Sequence, residues 1–163
     1  MFISMTAAPS DSSKQPWRLG EILVQKGWVR WQELENALSL QHEAPKKRIG
    51  EILVEKGVIN SDTLYQALAI QFGLQFIHLG DISIEPAAIK MVPKHFVYEH
   101  QVIPLAVEKQ KDILAVAVAD PVNVWPLSML EKIANVKEVR PILTTPQDIR
   151  AAIQKEYGPE NEF

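Results

Sequence analysis

The chain has 163 residues, 47% of them hydrophobic and 23% charged, with a formal net charge of −3 and no cysteine. That length suits one domain or two small subdomains, and folding should bury roughly 70% of the unfolded surface, so no disulfide or metal staple is required. The acidic balance gives no general attraction to nucleic acid or an anionic membrane, and the lack of cysteine removes thiolate metal sites and thiol nucleophiles.

In chain order, the opening MFISMTAAPSDSSKQP is too polar, and too short in its apolar part, to be a signal peptide. Residues 1–15 are expected to form a loose, disordered tail. No apolar run approaches the ~20 residues needed to span a bilayer. With the absent cysteine, this fits a cytoplasmic protein with no direct membrane insertion.

Residues 16–80 are expected to form a helical subdomain. RLGEILVQKG begins at Arg18 and RIGEILVEKG at Arg48, and aligning Arg18–Gln41 with Arg48–Gln71 leaves half of the positions identical. Such self-similarity records a structural unit written twice. Each copy reads as two short helices around a glycine. In the second, Ile49, Ile52 and Leu53 recur at helical spacing and Gly57 follows as a C′ residue, with Lys56 at the negative end of the helix dipole. Asn60 or Ser61 then caps a helix carrying Leu64, Ala67, Leu68 and Gln71 on one stripe. The first copy repeats that stripe as Leu34, Ala37, Leu38 and Gln41, with a weaker cap because Arg30 and Trp31 replace Asn60 and Ser61. The spacer HEAPKK (42–47) contains Pro45 and reads as a loop.

Residues 81–158 change character and are expected to form a small α/β subdomain, followed by a tail at 159–163. IEPAAIKMV and PKHFVYEH suggest short helices with proline near their starts. VIPLAV and ILAVAVA read as buried strands joined by the polar turn EKQKD. VWPLSMLEKIA suggests a helix, VRPILTT a third strand, and PQDIRAAIQKEYG a closing amphipathic helix with Thr145 as cap and Pro146 at its first position. The fold class is therefore α+β, with two tandem helix-turn-helix repeats packed on a small α/β subdomain.

Packing accounts for the repeated leucines but not for Arg18 and Arg48, because a guanidinium is costly to bury unpaired. Two units, each offering an arginine at a helix start, suit a ligand that itself has two similar halves. Helix N-termini carry free N–H groups and partial positive charge, and Gly20 and Gly50 would let backbone come close to a phosphate or base. Arginine can form a bidentate fork to phosphate or guanine, or lie flat on a base.

The double motif R-[LI]-G-x6-G-x6-L-x3-L-x2-Q resembles the MshEN domain, the N-terminal module of type II secretion and type IV pilus assembly ATPases in bacteria. The resemblance extends from Arg18 to about Gly158. It implies binding of cyclic di-GMP, a second messenger with two guanines and two phosphodiesters, each motif wrapping one half. It would assign Arg18, Leu19, Gly20, Leu34, Leu38 and Gln41 to the first half-site, and Arg48, Ile49, Gly50, Leu64, Leu68 and Gln71 to the second. Gly27 and Gly57 match as turn-shaping positions. Ile49 stands where the family usually has leucine, and the spacer is one residue longer than usual.

The resemblance implies a non-catalytic receptor with no cofactor, whose partner is an ATPase domain or another protein of the secretion or pilus machinery. No G-x4-G-K-[ST] is present, so the chain is not the motor itself. Its histidines, at positions 42, 78, 95 and 100, lack metal spacing. Glu21 and Glu51 read as ordinary first-turn carboxylates. RWQELENALSLQ and SDTLYQALAIQ are too acidic or neutral for helices that read DNA, and neither DNA nor RNA is an expected partner. The alternative class is a docking module without nucleotide sensing, for which Trp17, Trp28, Trp31 and Trp125 are candidate anchors.

Overall fold

The computed structural model describes residues 18–160, which form two compact units, 18–73 and 74–160. The first holds four helices: α1 (Leu19–Gln25), α2 (Trp31–Glu43), α3 (Ile49–Glu55) and α4 (Ser61–Phe72). The second holds a 3₁₀ turn (Leu79–Asp81), α5 (Pro86–Ile89), α6 (Lys94–His100), β1 (Val102–Glu108), β2 (Ile113–Val118), α7 (Trp125–Ile133), β3 (Glu138–Leu143) and α8 (Pro146–Tyr157). The fold is thus α+β, a helical part followed by a small sheet. Trp17 and most of the expected tails, 1–15 and 161–163, lie outside the described residues.

Helices of seven residues, such as α1 and α3, are not stable alone and depend on burial of their apolar faces. Ile22 and Leu23 from α1, and Ile52 and Leu53 from α3, join Val29, Leu34, Ala37, Ile59 and Ala67 in one core. Both helices stop in the same way. Gly27 and Gly57 sit at φ +73° and +72°, the left-handed region that glycine enters without a Cβ clash. Gly27 N–H then donates to Val24 O and Trp28 N–H to Leu23 O, each at 3.0 Å, and the second copy repeats this with Gly57 to Val54 and Val58 to Leu53. This pattern satisfies the last carbonyls and reverses the chain. Asn60 caps α4, its side chain accepting from Thr63 N–H at 2.8 Å.

In this unit α2 packs mainly on α3, and α1 mainly on α4. Exchanging the two copies converts one of these pairs into the other, so the packing has an approximate two-fold relation built from a tandem repeat.

In the second unit β2 lies between β1, its antiparallel partner, and β3, its parallel partner, with α7 making the crossover. All six residues of β2 are buried, as its unbroken apolar run requires. A bulge at Leu105 frees a carbonyl that accepts from Glu85 N–H at 2.9 Å. Thr145 caps α8 by accepting from Asp148 N–H at 3.2 Å, with Pro146 at the first helical position. Burial pushes the Tyr157 phenol above its usual pKa, and its hydroxyl donates to Ile89 O and Val92 O at 2.9 and 3.1 Å.

The units divide after Gly73, not at residue 80 where the composition shift suggested a boundary. The reason is pairing between distant segments. Phe76 bridges to Leu143, Ile77 N–H donates to Leu143 O at 3.0 Å, and Leu143 N–H donates to Gln75 O at 2.8 Å. Asp148 then accepts from Leu79 N–H at 3.0 Å. Residues 75–79 therefore belong to the sheet-bearing unit.

Candidate functional site

Arg18 and Arg48 are the N-cap residues of α1 and α3, both in extended conformation and both exposed. An arginine side chain has no acceptor and cannot cap a helix through its own head group. The cap comes instead from the residue three positions on. Glu21 accepts from Arg18 N–H at 3.3 Å, and Glu51 from Arg48 N–H at 3.2 Å. Arg30 and Glu33 repeat this device at the start of α2, at 2.9 Å. The matched carboxylates are structural caps that leave the guanidinium groups outward.

This arrangement changes the expected source of positive charge. The sequence predicts helix starts that offer free N–H groups and a dipole, but α1 and α3 have only seven residues each and a carboxylate stands at both starts. The exposed positive groups at these positions are the arginine side chains.

The motif glycines also act differently from the sequence expectation. A Cβ added at Gly20 would lie 2.8 and 2.9 Å from the two methyl groups of Leu34, and one at Gly50 would collide with a Leu64 methyl. The absent side chains let α1 pack closely on α2 and α3 on α4. Gly50 is itself buried. The space expected to admit a phosphate or a base is taken by leucine.

The same contact brings the copies together. A Cβ on Gly50 would lie 3.3 Å from Leu19 Cδ2, so the start of α1 abuts the start of α3. Arg18 immediately precedes Leu19, and Arg48 lies two residues before Gly50. The two arginine-bearing starts are therefore neighbours.

The remaining motif residues divide by exposure. Leu34 is core, 3% exposed, whereas Leu38 one turn later is 46% exposed. Leu64, Leu68, Leu19 and Ile49 are half-buried, as are Gln41 and Gln71. Gln41 Nε2 donates to Lys47 O at 3.1 Å, a contact the stripe pattern does not reveal. Lys47, the last residue of the spacer, pairs through Nζ with Glu55 at the end of α3 at 2.9 Å, again with no local spacing to signal it. Trp31 is 58% exposed, and its indole N–H donates to Glu35 at 2.9 Å, an i,i+4 contact that the sequence does allow.

Elsewhere, Trp28 is half-buried against the helical core, and Trp125 is 58% exposed beside His100, with ring centroids 5.4 Å apart. Among the described residues no three His, Asp or Glu side chains gather as a metal site. No described helix is long and apolar enough to cross a membrane. In the second unit a groove of about 550 Å³ runs between residues 79–84 and α8, lined in part by Ser83, Asp148, Ala152 and Lys155.

Fold and site together define a small α+β module whose duplicated helical part presents a pair of exposed arginines. The chain belongs to the MshEN domain family, whose model matches residues 72–162. The matched stretch begins at the last residue of α4 and takes in the sheet-bearing unit, so the two arginine motifs precede it. Among solved structures the chain is similar to MshE with cdg, at 23% identity and a TM-score of 0.74, over 86% of this chain and 99% of that one. It is also similar to the N-terminal domain of XpsE, at 12% identity and a TM-score of 0.58, over 94% of this chain and 98% of that one. Both are likenesses of fold. No curated protein matches the chain in sequence.

Proposed function

We propose that the chain is a non-catalytic, cytoplasmic receptor module of a bacterial type II secretion or type IV pilus assembly ATPase, and that it binds cyclic di-GMP. Its two tandem helix-turn-helix repeats each take one half of the ligand. The observation that carries this reading is the abutment of the two arginine-bearing helix starts through Leu19 and Gly50. A ligand with two guanines and two phosphodiesters meets two equivalent cationic positions related by the approximate two-fold packing. Each guanidinium can engage a phosphate or a guanine edge through paired hydrogen bonds. The fold shared with MshE, whose solved structure is with cdg, supports the same ligand.

Within the site, Arg18 and Arg48 supply charge. Leu38 and Leu68, one turn beyond the packed Leu34 and Leu64, supply apolar surface for a planar ring. Gly20 and Gly50 act by letting the helices close, Leu19 and Ile49 line the helix starts, and Gln41 and Gln71 end the two stripes. The output is regulatory, a ligand-dependent bias in how the module docks on its ATPase domain or partner.

A docking module without sensing is the second reading. It is favoured by exposed apolar side chains at and just before the start of α7, Val122, Val124 and Trp125, between 58% and 63% exposed. Isothermal titration of the purified chain with cyclic di-GMP, against GTP and cyclic di-AMP, separates the two. The receptor reading predicts saturable binding near one ligand per chain and no comparable response to either control. Absence of binding at high micromolar ligand, with no thermal shift, leaves the docking reading alone.

A further inference from the structure

The two glutamines of the repeat, Gln41 and Gln71, occupy the same place in the motif but not the same surroundings. After Gln71 the chain runs into Phe72 and Gly73. After Gln41 it runs through the spacer to the second arginine, and the peptide joining Lys47 to Arg48 is gripped on both sides. Its carbonyl, that of Lys47, accepts from Gln41 Nε2 at 3.1 Å. Its N–H, that of Arg48, donates to Glu51 Oε2 at 3.2 Å. Because a peptide unit is planar, fixing its oxygen and its hydrogen fixes the direction in which the next Cα leaves. Lys47 is held further by its own N–H, which donates to Ala44 O at 3.0 Å, and by its ammonium group on Glu55 at 2.9 Å.

We infer that Gln41 is a positioning residue: it belongs to the first copy but acts on the second half-site, by orienting the Lys47–Arg48 peptide and so aiming Arg48. This rests on the receptor reading above and adds a coupling between its halves. A glutamine amide that braces one peptide oxygen turns two separately encoded half-sites into one preorganised site, which lowers the ordering cost of binding. The second glutamine has no following arginine to aim, so the coupling runs one way along the chain.

The test is a double-mutant cycle on cyclic di-GMP affinity, measured by isothermal titration. Gln41→Met keeps the length of the side chain and removes the donor, and it is combined with Arg48→Ala. Gln41→Met should weaken binding about three- to tenfold in the intact chain and less than about twofold once Arg48 is alanine, the non-additivity of residues acting through one another. Gln71→Met in the same two backgrounds should show equal losses. An equal loss for Gln41→Met in both backgrounds would mean that Gln41 touches the ligand independently, and would overturn the inference while leaving the receptor reading intact. No binding by the unmodified chain would remove both. A ligand-free readout stands beside it: Gln41→Met should speed hydrogen exchange at the Arg48 amide, and unchanged exchange there would also overturn the inference.

Discussion

Arg18→Ala and Arg48→Ala should each weaken cyclic di-GMP binding by about 1.5–3 kcal/mol, the range for a hydrogen bond to a charged group, or roughly ten- to 150-fold in dissociation constant. The expectation follows from where the side chains stand. Both arginines are exposed N-cap residues whose backbone, not side chain, makes the cap. Removing either guanidinium leaves Glu21 or Glu51 still bonded to the same N–H, so folding stability should stay within about 0.5 kcal/mol. Titration calorimetry reads the affinity and a urea melt reads the stability. A large fall in the melt with either substitution would show that the arginines hold the fold together. Similar losses from the two substitutions would follow from the equivalence of the copies.

Leu53→Ala should act in the opposite way, with a large cost in stability. Leu53 is 0% exposed and sits with Leu23, also 0% exposed, at the centre of the helical core. Truncating a buried leucine removes its transfer energy and leaves a cavity, costing about 2–5 kcal/mol. A whole domain is commonly stable by only about 5–15 kcal/mol, so this is a large share for a core of so few residues. Leu23→Ala should cost a comparable amount, because exchanging the two copies carries one position onto the other. Chemical denaturation followed by helical circular dichroism measures both. A cost below about 1 kcal/mol at either position would mean that the shared core is not what holds these short helices.

Much of this was legible in the sequence because it is local. The turns at Gly27 and Gly57, the Asn60 and Thr145 caps, the three strands and the order of the helices all rest on signals within a few residues of one another. What escaped depends on distant partners. The unit boundary after Gly73 follows from Gln75, Phe76 and Ile77 pairing with Leu143, a partner nearly the length of a domain away in sequence. The motif glycines looked like openings for a ligand, and only the placement of Leu34 and Leu64 reveals them as closures between helices. In sequence Gln41 is a twin of Gln71, and only the tertiary structure shows the Lys47 carbonyl against it. The repeat pattern identifies which residues matter. Their division between packing, positioning and presentation is set by tertiary contacts.

The central claim, that two copies of one motif jointly hold one two-halved ligand, is tested most directly by an NMR titration of the labelled chain with cyclic di-GMP. The amides of Gly20 and Gly50 report on the two helix starts. Both should shift with a single midpoint and saturate together near one ligand per chain. Movement at only one of them, two separate midpoints, or saturation at two ligands per chain would contradict it.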